Sequence, residues 1–127
     1  MIGYATLGTN DLPRAAAFYD ALLAEVGAKR LWTADRGIAW GVSMDKPSLA
    51  VMKPYDGQAA TPGNGSMIGL VVLEPQAVNA VHAKALALGG TDEGPAGPRG
   101  DGSFYCGYFR DLDGNKLNVF CMPSAAG

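Results

Sequence analysis

The first half of this chain repeats in the second, and that repeat constrains the fold more than any other feature. Slide the first half along until Tyr4 falls on Met67. Asp11 then falls on Glu74, Leu12 on Pro75 and Gly27 on Gly90, without a gap. In the first copy, residues 2–8 read as a strand, and Thr9-Asn10-Asp11 supplies helix-capping oxygens. Apolar residues then recur at helical spacing over 12–26: Leu12, Ala15, Ala16, Tyr19, Leu22, Leu23 and Val26. Pro13 sits in the first turn, where its missing N–H does no harm, and Gly27 suits the left-handed conformation that ends a helix. Strands follow at 29–33, 38–43 and 48–53, separated by Asp35-Arg36-Gly37 and Asp45-Lys46-Pro47.

In the second copy a strand at 67–73 precedes a helix opened by Glu74-Pro75 and running to Leu88, closed by Gly89-Gly90. Further strands follow, with a Gly/Pro-rich loop expected at 94–102. The clearest strand pair flanks Asp111-Leu112-Asp113-Gly114-Asn115, where Gly and Asn tolerate the positive φ of a tight reversal. The expected fold is α+β: two βαβββ modules, each a small sheet covered by one helix, with the sheets enclosing a cleft. The 127 residues form one domain in this reading, with module 1 at about 1–54, a linker at 55–65 and module 2 at about 66–123.

Period-2 alternation assigns the faces of each strand. Ala5 and Leu7 suit the helix side, which turns Tyr4 and Thr6 to the cleft. Leu49 and Val51 leave Ala50 and Met52 facing it, and Ile68, Leu70 and Val72 leave Met67. On the final hairpin, Leu117, Val119 and Cys121 pack on the helix, so Asn118 and Phe120 point to the cleft. Cys106, Tyr108 and Arg110 are assigned there too. The directions of Trp32 and Trp40 stay open. His82, the single histidine, is expected at a partly exposed helix position away from the cleft.

Charge and composition exclude several classes. The net charge of -2 comes with no Lys/Arg cluster, so no nucleic-acid footprint is present. No apolar run approaches the ~20 residues of a membrane span, and Met1-Ile2-Gly3-Tyr4 lacks the basic start of a signal peptide. Cys106 and Cys121 read as free thiols of a cytoplasmic protein.

Three sets of residues carry a family resemblance: residues 2–12, Ala17-Phe18-Tyr19-Asp20-Ala21-Leu22-Leu23, and Gly89-Gly90-Thr91 with Phe109-Arg110-Asp111-Leu112-Asp113-Gly114-Asn115-Lys116-Leu117. In order and spacing the chain resembles the glyoxalase/bleomycin-resistance/extradiol-dioxygenase group, the vicinal oxygen chelate superfamily. Leu112 stands where the family hairpin usually has Pro. The resemblance implies paired βαβββ modules and a homodimer. It also implies a divalent metal held by His, His or Gln, and Glu. Here those places hold Tyr4, Met67 and Asn118, with Ala50 and Met52 at the further position some members use. Phenol, thioether and amide are poor ligands for such an ion, so no metal and no cofactor are expected. What remains is a cleft for a small organic molecule lined by Tyr4, Thr6, Met52, Met67, Cys106, Tyr108, Arg110, Asn118 and Phe120, with no catalytic residue assigned. The alternative is a metal-independent or atypical lyase or isomerase related to glyoxalases.

Overall fold

A computed structural model describes residues 1–122; the expected end of module 2, at 123, lies outside them. The first half forms β1 (Tyr4–Gly8), α1 (Leu12–Ala24), β2 (Lys29–Thr33), β3 (Gly37–Gly41) and β4 (Ser48–Met52). The second forms β5 (Ile68–Val71), α2 (Pro75–Ala87), β6 (Thr91–Arg99), β7 (Phe104–Arg110) and β8 (Lys116–Cys121). Among the described residues there are two four-stranded sheets, ordered β1-β4-β3-β2 and β5-β8-β7-β6. The opening strand of each half pairs parallel with the closing strand, and the other pairings are antiparallel. The two helices occupy equivalent positions of the repeat.

Helix α1 starts where the capping residues place it, because the Asp11 carboxylate accepts from Arg14 N at 3.1 Å. Its apolar stripe is buried, including Phe18, Tyr19 and Leu22. Asp20, on the flank of this helix, accepts from Arg30 at 2.9 and 2.8 Å and from Trp40 Nε1 at 2.8 Å. The Arg30 hydrogen bonds hold the Asp20 carboxyl below its ordinary range. The stripes of α1 and α2 and the inner residues of both sheets merge into one apolar core. Burial of this kind is the main stabilising term.

Beyond small shifts of strand ends, such as Met67 lying just ahead of β5, the structure departs from the expectations in three places. Residues 94–99 belong to β6 and are not part of a loop; the reversal is confined to the positive-φ glycines Gly100 and Gly102 and their neighbours. Pro95 and Pro98 lack an N–H, which an edge strand tolerates, and β6 lies at the edge with register shifts between Asp92 and Gly97. The helix-ending glycine of the second half is Gly89, at φ 101, not Gly90. A Cβ on Gly90 would lie 2.8 Å from the carbonyl oxygens of Ala85 and Arg110, so that glycine serves close packing. His82 is buried, at 6% exposure. Its ring fits because Gly107 has no Cβ, which would lie 2.8 Å from the imidazole. His82 Nε2 lies 3.2 Å from Asp92 Oδ1 and 3.1 Å from the Tyr108 carbonyl.

The turn between β7 and β8 joins the halves. Asp111 Oδ2 accepts from Tyr19 Oη at 2.5 Å and from Asn115 Nδ2 at 2.9 Å. Asp111 Oδ1 accepts from the backbone N–H groups of Asp113 and Asn115, each at 2.9 Å. Asp113 reaches the β1–α1 corner, accepting from Thr9 Oγ1 at 2.6 Å and Asn10 N at 3.0 Å. Asn115 Nδ2 also donates to the Gly8 carbonyl at 2.9 Å. These carboxylates therefore hold two modules together. Leu112, in the Pro position of the family turn, is half-buried against the core.

Candidate functional site

The outer face of the first sheet carries a cavity of about 580 Å³. The strands present it because Leu7, Leu49 and Val51 are taken up by the core, which leaves Tyr4, Thr6, Ala50 and Met52 on the other side. Gly37 sits opposite Met52 across the β3–β4 pair. A Cβ there would lie 2.0 Å from Met52 Sδ, so the glycine makes room for the thioether. Trp32 completes the wall and is 40% exposed. Trp40 lies on the opposite face, buried against α1.

The roof is the segment after β4. Asn10 clamps it with a reciprocal pair: Nδ2 donates to the Ala60 carbonyl at 3.2 Å and Oδ1 accepts from Ala60 N at 2.7 Å. Gly8 lets Ala60 close down, since a Cβ there would meet the Ala60 methyl at 3.0 Å. At the mouth, Lys53 N donates to the Arg36 carbonyl at 2.7 Å, and Arg36 Nε donates back to the Lys53 carbonyl at 3.2 Å. The Arg36 guanidinium lies 5.2 Å from the centre of the Tyr55 ring. Arg36, Lys53, Tyr55 and Asp56 all line the cavity.

Of the residues assigned to a cleft, the structure brings Tyr4, Thr6 and Met52 together here. Arg36, Lys53, Tyr55 and Asp56 were missed. They come from a turn, a strand end and a loop, which alternation does not reach. The cross-strand neighbourhood of the turn after β2 and the end of β4 was the available signal.

The remaining residues lie on the second half. Cys106 pairs with Phe120 and Tyr108 with Asn118 across β7–β8, while Gly69 pairs with Asn118 across β5–β8. Their own side chains fill this face. Phe120 stacks on Phe104 at 5.5 Å, Cys106 is fully buried, and Asn118 is 3% exposed. Gly69 allows this, because a Cβ there would lie 2.9 Å from Asn118 Oδ1. Tyr108 lies between Arg99 and Lys116, 5.8 and 5.4 Å from its ring centre. A hydrogen bond with Cys106, reinforced by burial, raises its phenol above the ordinary value. Arg110 is engaged with Glu93 and the Gly114 carbonyl. Met67 precedes β5 and is 45% exposed. Both cysteines are free, and they sit on opposite faces of the hairpin, since Cys121 joins the core behind the sheet.

The positions that would hold the family's metal divide between the halves: Tyr4 on β1 and Asn118 on β8, with Met67 just ahead of β5. Among the described residues no three His, Cys, Asp or Glu side chains gather to hold an ion. This donor set does not fit a divalent metal. Among the described residues, no helix is long and apolar enough to cross a membrane.

Two βαβββ repeats of this topology, each a four-stranded sheet packed with one helix, define the class. The profile of the Glyoxalase/Bleomycin resistance protein/Dioxygenase superfamily matches residues 1–119, and the chain belongs to that superfamily. A glyoxalase/bleomycin resistance protein from Albidiferax ferrireducens is 36% identical with a TM-score of 0.88, covering 97% of this chain and 99% of that one. The fosfomycin resistance protein FosX from Listeria monocytogenes is 18% identical with a TM-score of 0.71, covering 95% and 92%. A lactoylglutathione lyase from Agrobacterium tumefaciens is 17% identical with a TM-score of 0.70, covering 98% and 95%. The last two likenesses concern the fold alone. Among curated proteins no sequence matches.

Proposed function

We propose that this protein binds a small organic molecule in the cavity of its first sheet and releases it chemically unchanged. The observation that carries this reading is the open cavity of about 580 Å³ on the sheet face, with Tyr4, Trp32 and Met52 as its apolar wall. That volume falls within the range of small-molecule sites. None of the residues that line the cavity is a His or Cys. Two copies are proposed to associate, since Met67 and Val71 leave apolar surface exposed. The free thiols support a reducing, cytoplasmic setting.

A second reading, a metal-independent lyase or isomerase, draws on Arg36 and Lys53, whose charges would stabilise an oxyanion. Mass spectrometry of small molecules released from purified, denatured protein tests both. A stoichiometric compound recovered unchanged after long incubation with protein is the expected result. Conversion to a second compound would replace the binding reading with the enzymatic one.

A further inference from the structure

We propose that the ligand of this cavity is an organic anion with a planar apolar body, its acid group held at the mouth by Arg36 and Lys53. The inference rests on the reading that the cavity is a ligand site, and it adds the charge class of the ligand.

Three observations carry it. First, the mouth is cationic: Arg36 and Lys53 line it against the single carboxylate of Asp56. Among the described residues, neither cation forms a salt bridge, whereas Arg14, Arg30 and Arg110 each have a carboxylate partner. Second, Arg36 is held in position beforehand. Its Nε is committed to the Lys53 carbonyl, and its guanidinium lies over the Tyr55 ring. A guanidinium fixed through one edge keeps its Nη groups for another partner, and two oxygens of one acid group match that geometry. The reciprocal Lys53 N–Arg36 O bond ties the two cation-bearing strand ends together. Third, the wall behind the mouth is aromatic and thioether in character, through Tyr4, Trp32 and Met52. Such a wall favours a flat apolar body. A neutral ligand would gain nothing from the two charges, and a cationic one would be repelled by them.

A matched pair of fluorescent probes tests this: 1-anilinonaphthalene-8-sulfonate, an aromatic anion, and N-phenyl-1-naphthylamine, the same skeleton without the acid. The sulfonate should bind at least about tenfold more tightly and weaken as salt is raised, with the neutral probe insensitive to salt. Arg36→Gln and Lys53→Gln should each weaken the sulfonate about tenfold and change the neutral probe less than twofold. Arg36→Lys should retain part of the preference. If Arg36→Gln loosens the roof, Lys53→Gln still decides, because removing its amine leaves the Lys53 backbone bonds in place. Equal affinities for the two probes, or a sulfonate affinity untouched by both variants, would overturn the charge assignment and leave the cavity reading standing. Binding of neither probe would overturn both.

Discussion

The hydroxyl of Tyr19 donates a 2.5 Å hydrogen bond to Oδ2 of Asp111, from the helix of the first repeat to the hairpin turn of the second. Both groups are buried, at 1% and 5% exposure. Asp111 is thus the keystone of a turn whose own backbone N–H groups and Asn115 amide converge on the same carboxylate. Its replacement by Ala strands those donors, at about 2–4 kcal/mol, while Tyr19→Phe removes one donor at about 1–2 kcal/mol. Urea denaturation of both single variants and the double variant should give a coupling energy above about 0.5 kcal/mol. Additive losses would separate the two groups energetically.

The same pair governs alkaline stability. Burial, and then the charge of Asp111, raise the Tyr19 phenol well above its ordinary value of 10.0. The protonated phenol is therefore favoured in the folded state. Its contribution is complete below about pH 10, the unfolded value. It declines as pH rises from there toward the folded value, because the unfolded chain releases the proton first. The stability of the wild type should fall more steeply above about pH 10 than that of Tyr19→Phe. Parallel curves in alkaline denaturation would count against this linkage.

The cavity floor depends on Gly37. An added Cβ meets Met52 Sδ at 2.0 Å and the Val51 carbonyl oxygen at 2.8 Å, and the second of these is backbone that cannot swing away. Gly37→Ala should cost about 1–3 kcal/mol through overpacking. It should also reduce ligand affinity by displacing the Met52 side chain into the cavity. Calorimetry of binding and thermal unfolding on one preparation measures both.

The roof depends on Asn10. Replacing it with Ala removes both bonds to Ala60. Global stability should change by about 1 kcal/mol or less, since the pair is exposed. Amide exchange at Ala60 should accelerate, and bound ligand should dissociate faster. Unchanged exchange would mean that the segment is held by other contacts.

Chelation should have no effect. The positions related to the family's metal centre offer phenol, thioether and amide groups divided between two modules. Ligand affinity and thermal midpoint should be the same with and without excess EDTA. A loss restored by one added metal would contradict the donor chemistry.

The helices and the repeat were legible because helical periodicity and capping are local properties of the chain. So were the β7 and β8 faces, where alternation runs unbroken and Tyr108 does pair with Asn118. Trp32 and Trp40 resisted assignment for a physical reason: the β2–β3 register shifts between Arg30 and Trp32, which breaks the period of two. Strand β6 was obscured by Pro95 and Pro98, whose presence suits an edge as well as a loop. Alternation turned Tyr4, Thr6 and Met52 to the face that carries the cavity, but did not reach Arg36, Lys53 and Tyr55 beside them. Those three meet only because a turn, a strand end and a roof segment converge in space.

The grip of Asp113 on Thr9 spans 104 positions of sequence. A contact that distant closes a very large loop, and the entropy of that closure must be offset by the packing of the intervening chain. Until then the Thr9 hydroxyl, which accepts locally from Asp11 N, and the Asn10 backbone N–H lack the Asp113 carboxylate. The cavity roof hangs from that same Asn10 through its side chain. The corner that carries the cavity's roof is therefore braced from both ends of the repeat, by Asp113 of the second half on one side and by Ala60 of the first on the other.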